Sequence, residues 1–150
     1  MGLMDYLPKL LLASLIGFIV GAERSRRKNS QIGVGTTSIL ILGATLLTII
    51  SRYCLGGADP ARLIANIITA VGFLCGSVIF LKNSEEDTEV VGLTTGATLF
   101  TLTGVGIAIG LGYYGLAITS VILVEVNIFI SRQMKKVKNE KDEEEDIFNK

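Results

Sequence analysis

Residues 92–110 read Gly-Leu-Thr-Thr-Gly-Ala-Thr-Leu-Phe-Thr-Leu-Thr-Gly-Val-Gly-Ile-Ala-Ile-Gly, a stretch without one charged side chain. As α-helix it would rise about 28 Å, close to the ~30 Å thickness of a hydrocarbon core. Gly92, Gly96, Thr103, Gly106 and Gly110 recur at helical spacing and form one small-residue stripe along it. Lipid tails are as apolar as leucine, so helices in a bilayer are held together by close contact and interhelical hydrogen bonds. The stretch therefore predicts a membrane-spanning helix that packs through its glycines, and that stripe is also a natural docking face for a partner helix.

The rest of the chain repeats the pattern. Its 150 residues are 49% hydrophobic, with 17 Gly, no Trp and no His, and the mean hydropathy is +0.55. The apolar residues fall in blocks rather than stripes, and five spans follow: Leu7–Ala22, Gly35–Ile50, Leu63–Leu81, Gly92–Ile109 and Tyr113–Ser131. The predicted fold class is an all-α, polytopic bundle of five transmembrane helices over 1–131, with a charged, partly disordered tail at 132–150. The formal net charge of zero hides a segregation into Glu23–Lys28, Lys82–Glu89 and the segment after Arg132. No basic face is left for nucleic acid. Cys54 and Cys75 fall at different depths and read as two apolar packers rather than a disulfide.

Arg24, Arg26, Arg27 and Lys28 follow the first span, whereas a signal peptide carries its positive region in front, so this helix is retained. By the positive-inside rule that cluster and the basic residues after the last span are cytoplasmic, the N-terminus is outside, and the C-terminus is inside. Tyr6, Tyr53, Tyr113 and Tyr114 then all lie at the outer interface, where amphipathic rings are favoured. Asp59-Pro60 reads as a helix N-cap followed by proline at the first helical position. The segment Gly110–Gly112 is a minimal turn that makes the fourth and fifth spans antiparallel neighbours.

Four Gly-x-x-x-Gly motifs mark helix packing: Gly17/Gly21, Gly72/Gly76, Gly92/Gly96 and Gly106/Gly110. Spans one and three share Gly-Phe-x-x-Gly, and spans two and four share Thr-Thr and Gly-Ala-Thr-Leu. The matches suggest a parallel repeat of a helix pair, against the bland alternative that Gly and Thr are common in membrane helices.

Ionisable groups within spans are costly and usually functional or paired. Glu125, in Val-Glu-Val-Asn, is the clearest; Arg24, Arg27, Lys82 and Arg132 are its candidate partners, and a snorkelling carboxylate is the alternative. Glu23 and Arg24 end the first span, and Glu23 can pair with Arg27. Asp59, Arg62 and, one turn deeper, Asn66 head the third span. There is no His, no Walker lysine after Gly33-Val-Gly-Thr-Thr-Ser, and no cysteine pair at metal spacing, so neither an enzyme nor a bound cofactor is expected. Mg²⁺ asks for one or two carboxylates and retained waters. Asp59 and Glu125 qualify singly, but no cage of acids joins them, and the metal ligands stay unassigned.

Three stretches carry a resemblance: Gly17-Phe-Ile-Val-Gly-Ala-Glu-Arg24; Asp59-Pro-Ala-Arg62 leading into Val71-Gly-Phe-Leu74; and Gly92-Leu-Thr-Thr-Gly-Ala-Thr-Leu99. In this order, from Leu7 to Ile130, the chain resembles the MgtC/SapB family of bacterial and archaeal membrane proteins. The resemblance implies a cytoplasmic-membrane protein of magnesium homeostasis, in pathogens tied to survival inside host cells. It implies a regulator that restrains the F-type ATP synthase rather than a transporter. Glu23, Arg24, Asp59, Arg62, Gly72, Gly76, Gly92, Thr94 and Thr95 would be its signature positions. The family has arginine where this chain has Gly35 and Val91, and often glutamine at Asn66, which puts a shared ion-pair network in doubt. Many members add an ACT-type domain where this sequence ends in a charged tail, so regulation by that module is not expected. The reading is a non-enzymatic regulator in contact with the bilayer and with another membrane protein or further copies of itself. The alternative is a small oligomeric transporter or channel for Mg²⁺ or another ion.

Overall fold

Within a bilayer the backbone finds no water and must close its own hydrogen bonds, so each uncharged block becomes a helix. The computed structural model describes residues 3–26, 33–54, 59–83 and 88–148. In chain order they form α1 (Leu3–Ser25), α2 (Val34–Ile49), a π-helical turn (Ile50–Cys54), α3 (Pro60–Ser77), β1 (Phe80–Asn83), β2 (Thr88–Val91), α4 (Leu93–Leu111) and α5 (Tyr114–Phe148). Met4–Ser25, Val34–Cys54, Leu93–Leu111 and Tyr114–Met134 are long and apolar enough to cross a membrane, while the apolar part of α3 is the shorter Ala61–Ser77. The architecture is that of an all-α, multi-pass membrane bundle.

The third span departs from expectation at its far end. Its start is as read, with the Asp59 carboxylate accepting the Ala61 N–H at 2.9 Å and Pro60 in the first turn. The helix stops at Ser77 instead of reaching Leu81, and the chain enters an antiparallel hairpin that pairs Phe80 with Val91 and Asn83 with Thr88. Val78-Ile-Phe-Leu is β-branched and aromatic, and Val90-Val91 offers it a partner of the same kind. Such residues gain more from a ladder than from a helix end. Helix α5 runs on through the charged residues after the last span to Phe148. Its Lys and Glu are strong helix formers.

Helix α4 is the centre of the bundle, packed against α2, α3 and α5, while α1 packs on α2. Of its apolar window 56% is buried, against 6% for that of α5. One core cluster joins Ala13, Val20, Ile41, Leu102, Val105 and Ile109; a second joins Ile67, Val71, Cys75 and Leu99.

Glycines make the seams. A Cβ on Gly17 would lie 2.5 Å from Ser38 Cα, and one on Gly21 2.8 Å from Val34 Cα, so α1 and α2 touch backbone to backbone. On α4, a Cβ on Gly106 would meet Ile41 O at 2.6 Å, one on Gly110 Thr48 Cβ at 2.6 Å, and one on Gly96 Cys75 O at 2.8 Å. Gly92, at φ +92°, lies against the Val78 carbonyl. The α4 stripe is thus filled by α2 and α3 and is not a face open to a partner. Gly72 and Gly76 differ: among the described residues nothing lies within 4 Å of a Cβ at either, so α3 meets α4 through its aliphatic side. The pairs α1–α2 and α3–α4 pack side by side, and α2 meets α4, as a duplicated pair would. The shared motifs nevertheless serve different ends, since Gly43 faces open space where Gly96 is clasped.

Candidate functional site

Among the described residues two cations lie inside the bundle, both on α1. Lys9 is 6% exposed and Arg24 7%. The turn after α4 shows why Lys9 is tolerated. Gly112, at φ +91°, ends the helix, its N–H bonding Ile109 O while the Tyr113 N–H bonds Ala108 O. This Schellman arrangement satisfies two of the last carbonyls and leaves the next without a backbone donor. Lys9 Nζ donates to that one, Gly110 O, at 2.9 Å, and to the Tyr53 hydroxyl at 3.3 Å, lying 4.8 Å from the Tyr53 ring centre. Its charge sits at the negative end of the α4 dipole. Tyr113 and Tyr114 follow α4 at this same end.

Arg24 is buried at the opposite end of α1. Its Nη2 donates to Thr98 Oγ1 at 3.0 Å, and that hydroxyl donates to Thr94 O at 2.7 Å. Lys9 and Arg24 are about 22 Å apart along the helix. One helix therefore pins both halves of α4 through charge-assisted hydrogen bonds, about twice as strong as neutral ones.

At the Arg24 end, α1 and α5 leave a cleft. Glu23, Glu125, Val126, Phe129 and Arg132 line a cavity of about 400 Å³. Glu23 follows the helix outward while its neighbour Arg24 turns in, and Glu125 enters from α5, half-buried. Three sequence candidates, Glu23, Arg24 and Glu125, thus come to one end of the bundle. Of the cations weighed as partners for Glu125, Arg132 shares its cavity; Arg27 lies outside the described residues. Two carboxylates and a guanidinium against an apolar wall suit a small hydrated cation or a zwitterionic group. Among the described residues no three metal-ligating side chains meet.

Asp59, Arg62 and Asn66 are elsewhere, exposed at the start of α3. They do not join the Glu125 cleft, and an Asp59 oxygen is used by the helix cap. Lys9 was not among the candidates, although a charge inside the span Leu7–Ala22 is the signal that singled out Glu125. Cys54 and Cys75 are both free thiols. The central polar groups make internal bonds, Thr45 Oγ1 to Gly106 O at 2.9 Å and Thr48 Oγ1 to Ala44 O at 2.7 Å.

Residues 10–137 match the family model described as MgtC family. Protein SapB of Bacillus subtilis is 34% identical over 152 residues, covering 95% of this chain and 64% of that protein. Protein MgtC of Salmonella typhimurium is 34% identical over 119 residues, covering 79% of this chain and 49% of its own length. An Escherichia coli relative, provisionally named a magnesium transporter, is 28% identical over 138 residues, which is 87% of this chain and 62% of that one. The chain spans about half to two-thirds of the length of these relatives. No solved structure matches it. By the extent of the family match and the identity to its members, this multi-pass membrane protein belongs to the MgtC family.

Proposed function

We propose that the protein is a non-enzymatic regulator of magnesium homeostasis in a cytoplasmic membrane, acting through contact of its outer helices with another membrane complex. The observation that carries this is the contrast between α4 and α5. The centre is closed by glycine-to-backbone contacts and by hydroxyls that bond internally, while the apolar window of α5 is only 6% buried. A span that contributes so little to its own bundle is available to another. In this reading the Arg24 end is cytoplasmic, following the basic cluster after α1, and α5 leads into a charged segment on that side. The F-type ATP synthase, implied by the family resemblance, is the first partner to test. Photo-crosslinkers at Leu116, Ile122 and Phe129, all exposed on α5, should capture a discrete membrane protein in cells starved of magnesium. Crosslinks to lipid alone would reject docking through α5.

One observation favours a second reading. The Glu23–Glu125–Arg132 cavity gathers three charged side chains in a largely apolar recess, where an ion could be held, and the E. coli relative bears a transporter name. Transport would require the path to form outside the closed α2–α4 seam, between α1 and α5 or between copies.

A further inference from the structure

The outward face of α3 is polar where lipid would otherwise be. Ile67, Val71 and Cys75 are its buried residues, packed on Leu99. Arg62, Asn66, Thr69, Phe73 and Gly76 fall on the opposite side, and all are exposed. Phe73 is the extreme, 79% exposed with open space at Gly72 and Gly76 beside it.

Several other polar side chains on the outside of the bundle answer to their own helix. Thr69 Oγ1 donates to Ala65 O at 3.0 Å, Thr101 Oγ1 to Ala97 O at 2.9 Å, and Asn127 Nδ2 to Leu123 O at 2.9 Å. The Asn66 carboxamide makes no such bond among the described residues. It lies about 9 Å along α3 from Pro60, at a depth where an unmet amide is costly.

We infer that this face of α3 is the contact surface for a second copy of the chain, related by a twofold axis along the membrane normal. Three features select a copy over a different partner. Copies inserted the same way run parallel, so Asn66 meets Asn66, and a carboxamide, both donor and acceptor, satisfies its own image. Asp59 and Arg62, one turn apart and both exposed, bring opposite charges across the axis at one end. The open backbone at Gly72 and Gly76 gives the partner's Phe73 a recess and allows close approach. The surface is distinct from α5 and does not depend on the regulatory reading.

The test uses the purified full chain in liposomes, labelled on Cys54, which is exposed while Cys75 is buried. Energy transfer between labelled copies is followed as lipid dilutes the protein. Wild type should self-associate, Asn66→Leu should weaken association about ten-fold, and Asn66→Gln should largely retain it. Leu123→Ala, on α5, should behave as wild type. Thr69→Cys should form a disulfide-linked dimer on oxidation and Leu123→Cys should not. Unchanged circular dichroism shows that each variant is folded. Energy transfer at the random-encounter level for wild type, or equal association of Asn66→Leu and wild type, would overturn the inference. So would Thr69→Cys crosslinking in cells to a different protein and never to itself.

Discussion

Replacing Gly106 by alanine adds one methyl group at one of the two tightest points of the α2–α4 seam. That Cβ would lie 2.6 Å from Ile41 O and 2.8 Å from Ala44 Cβ, whereas ordinary contact begins at 3.4 Å. Neither neighbour is the end of a flexible side chain, so the helices themselves must part. An opening of about 0.8 Å would also carry the 2.9 Å Thr45 Oγ1 to Gly106 O bond past useful length. Overpacking costs about 1–3 kcal/mol, and an interhelical hydrogen bond in a membrane protein about 0.6 kcal/mol. Alanine is the better helix former by up to about 1 kcal/mol, which would mask part of the loss. Gly104→Ala cancels that term, because it lies on the same helix with nothing within 4 Å of its Cβ. Unfolding of both variants by sodium dodecyl sulfate in mixed micelles should separate them by about 2–3 kcal/mol, with Gly106→Ala the weaker. A difference under about 0.5 kcal/mol, the scatter of neutral surface changes, would refute the closed-seam account.

Lys9→Met leaves the Gly110 carbonyl buried without its donor and should cost about 1–3 kcal/mol in the same assay. Thr98→Val keeps the shape but takes the acceptor from a buried guanidinium, costing about 1.5–3 kcal/mol; Thr101→Val, exposed and bonded within its own helix, should stay within about 0.5 kcal/mol of wild type. Gly92→Ala forces a side chain into the left-handed region and against Val78, and should lose about 1–2 kcal/mol to the backbone conformation alone. A maleimide should label Cys54 in folded protein and Cys75 only after denaturation; prompt labelling of both would contradict the packing of α3 on α4.

The spans were readable because a bilayer demands long uncharged blocks, and the Asp59-Pro60 start was readable because capping is local chemistry. The end of α3 was not. Val78-Ile-Phe-Leu is apolar throughout, and periodicity cannot separate a buried helix end from a strand in so short a run. A Gly-x-x-x-Gly motif shows where a backbone can be approached, not whether anything approaches it. Gly17, Gly21, Gly96, Gly106 and Gly110 meet neighbours within the chain, and Gly72 and Gly76 do not. Glu23 and Glu125 share a cavity although about a hundred residues separate them, a convergence no local pattern carries. Lys9 was hidden differently. A lysine two residues into a span reads as a snorkelling end group, and only the termination of α4 at Gly112 reveals the carbonyl it serves.

A closed bundle that works by contact rather than conduction should not pass Mg²⁺. Mg²⁺ influx into proteoliposomes holding the purified protein, followed with an entrapped indicator beside a Glu125→Gln variant, tests it most directly. Entry should be no faster than in protein-free vesicles, for both proteins, with folding verified by circular dichroism. Influx that wild type supports and Glu125→Gln loses would contradict it and make the Glu23–Glu125–Arg132 cavity part of an ion path.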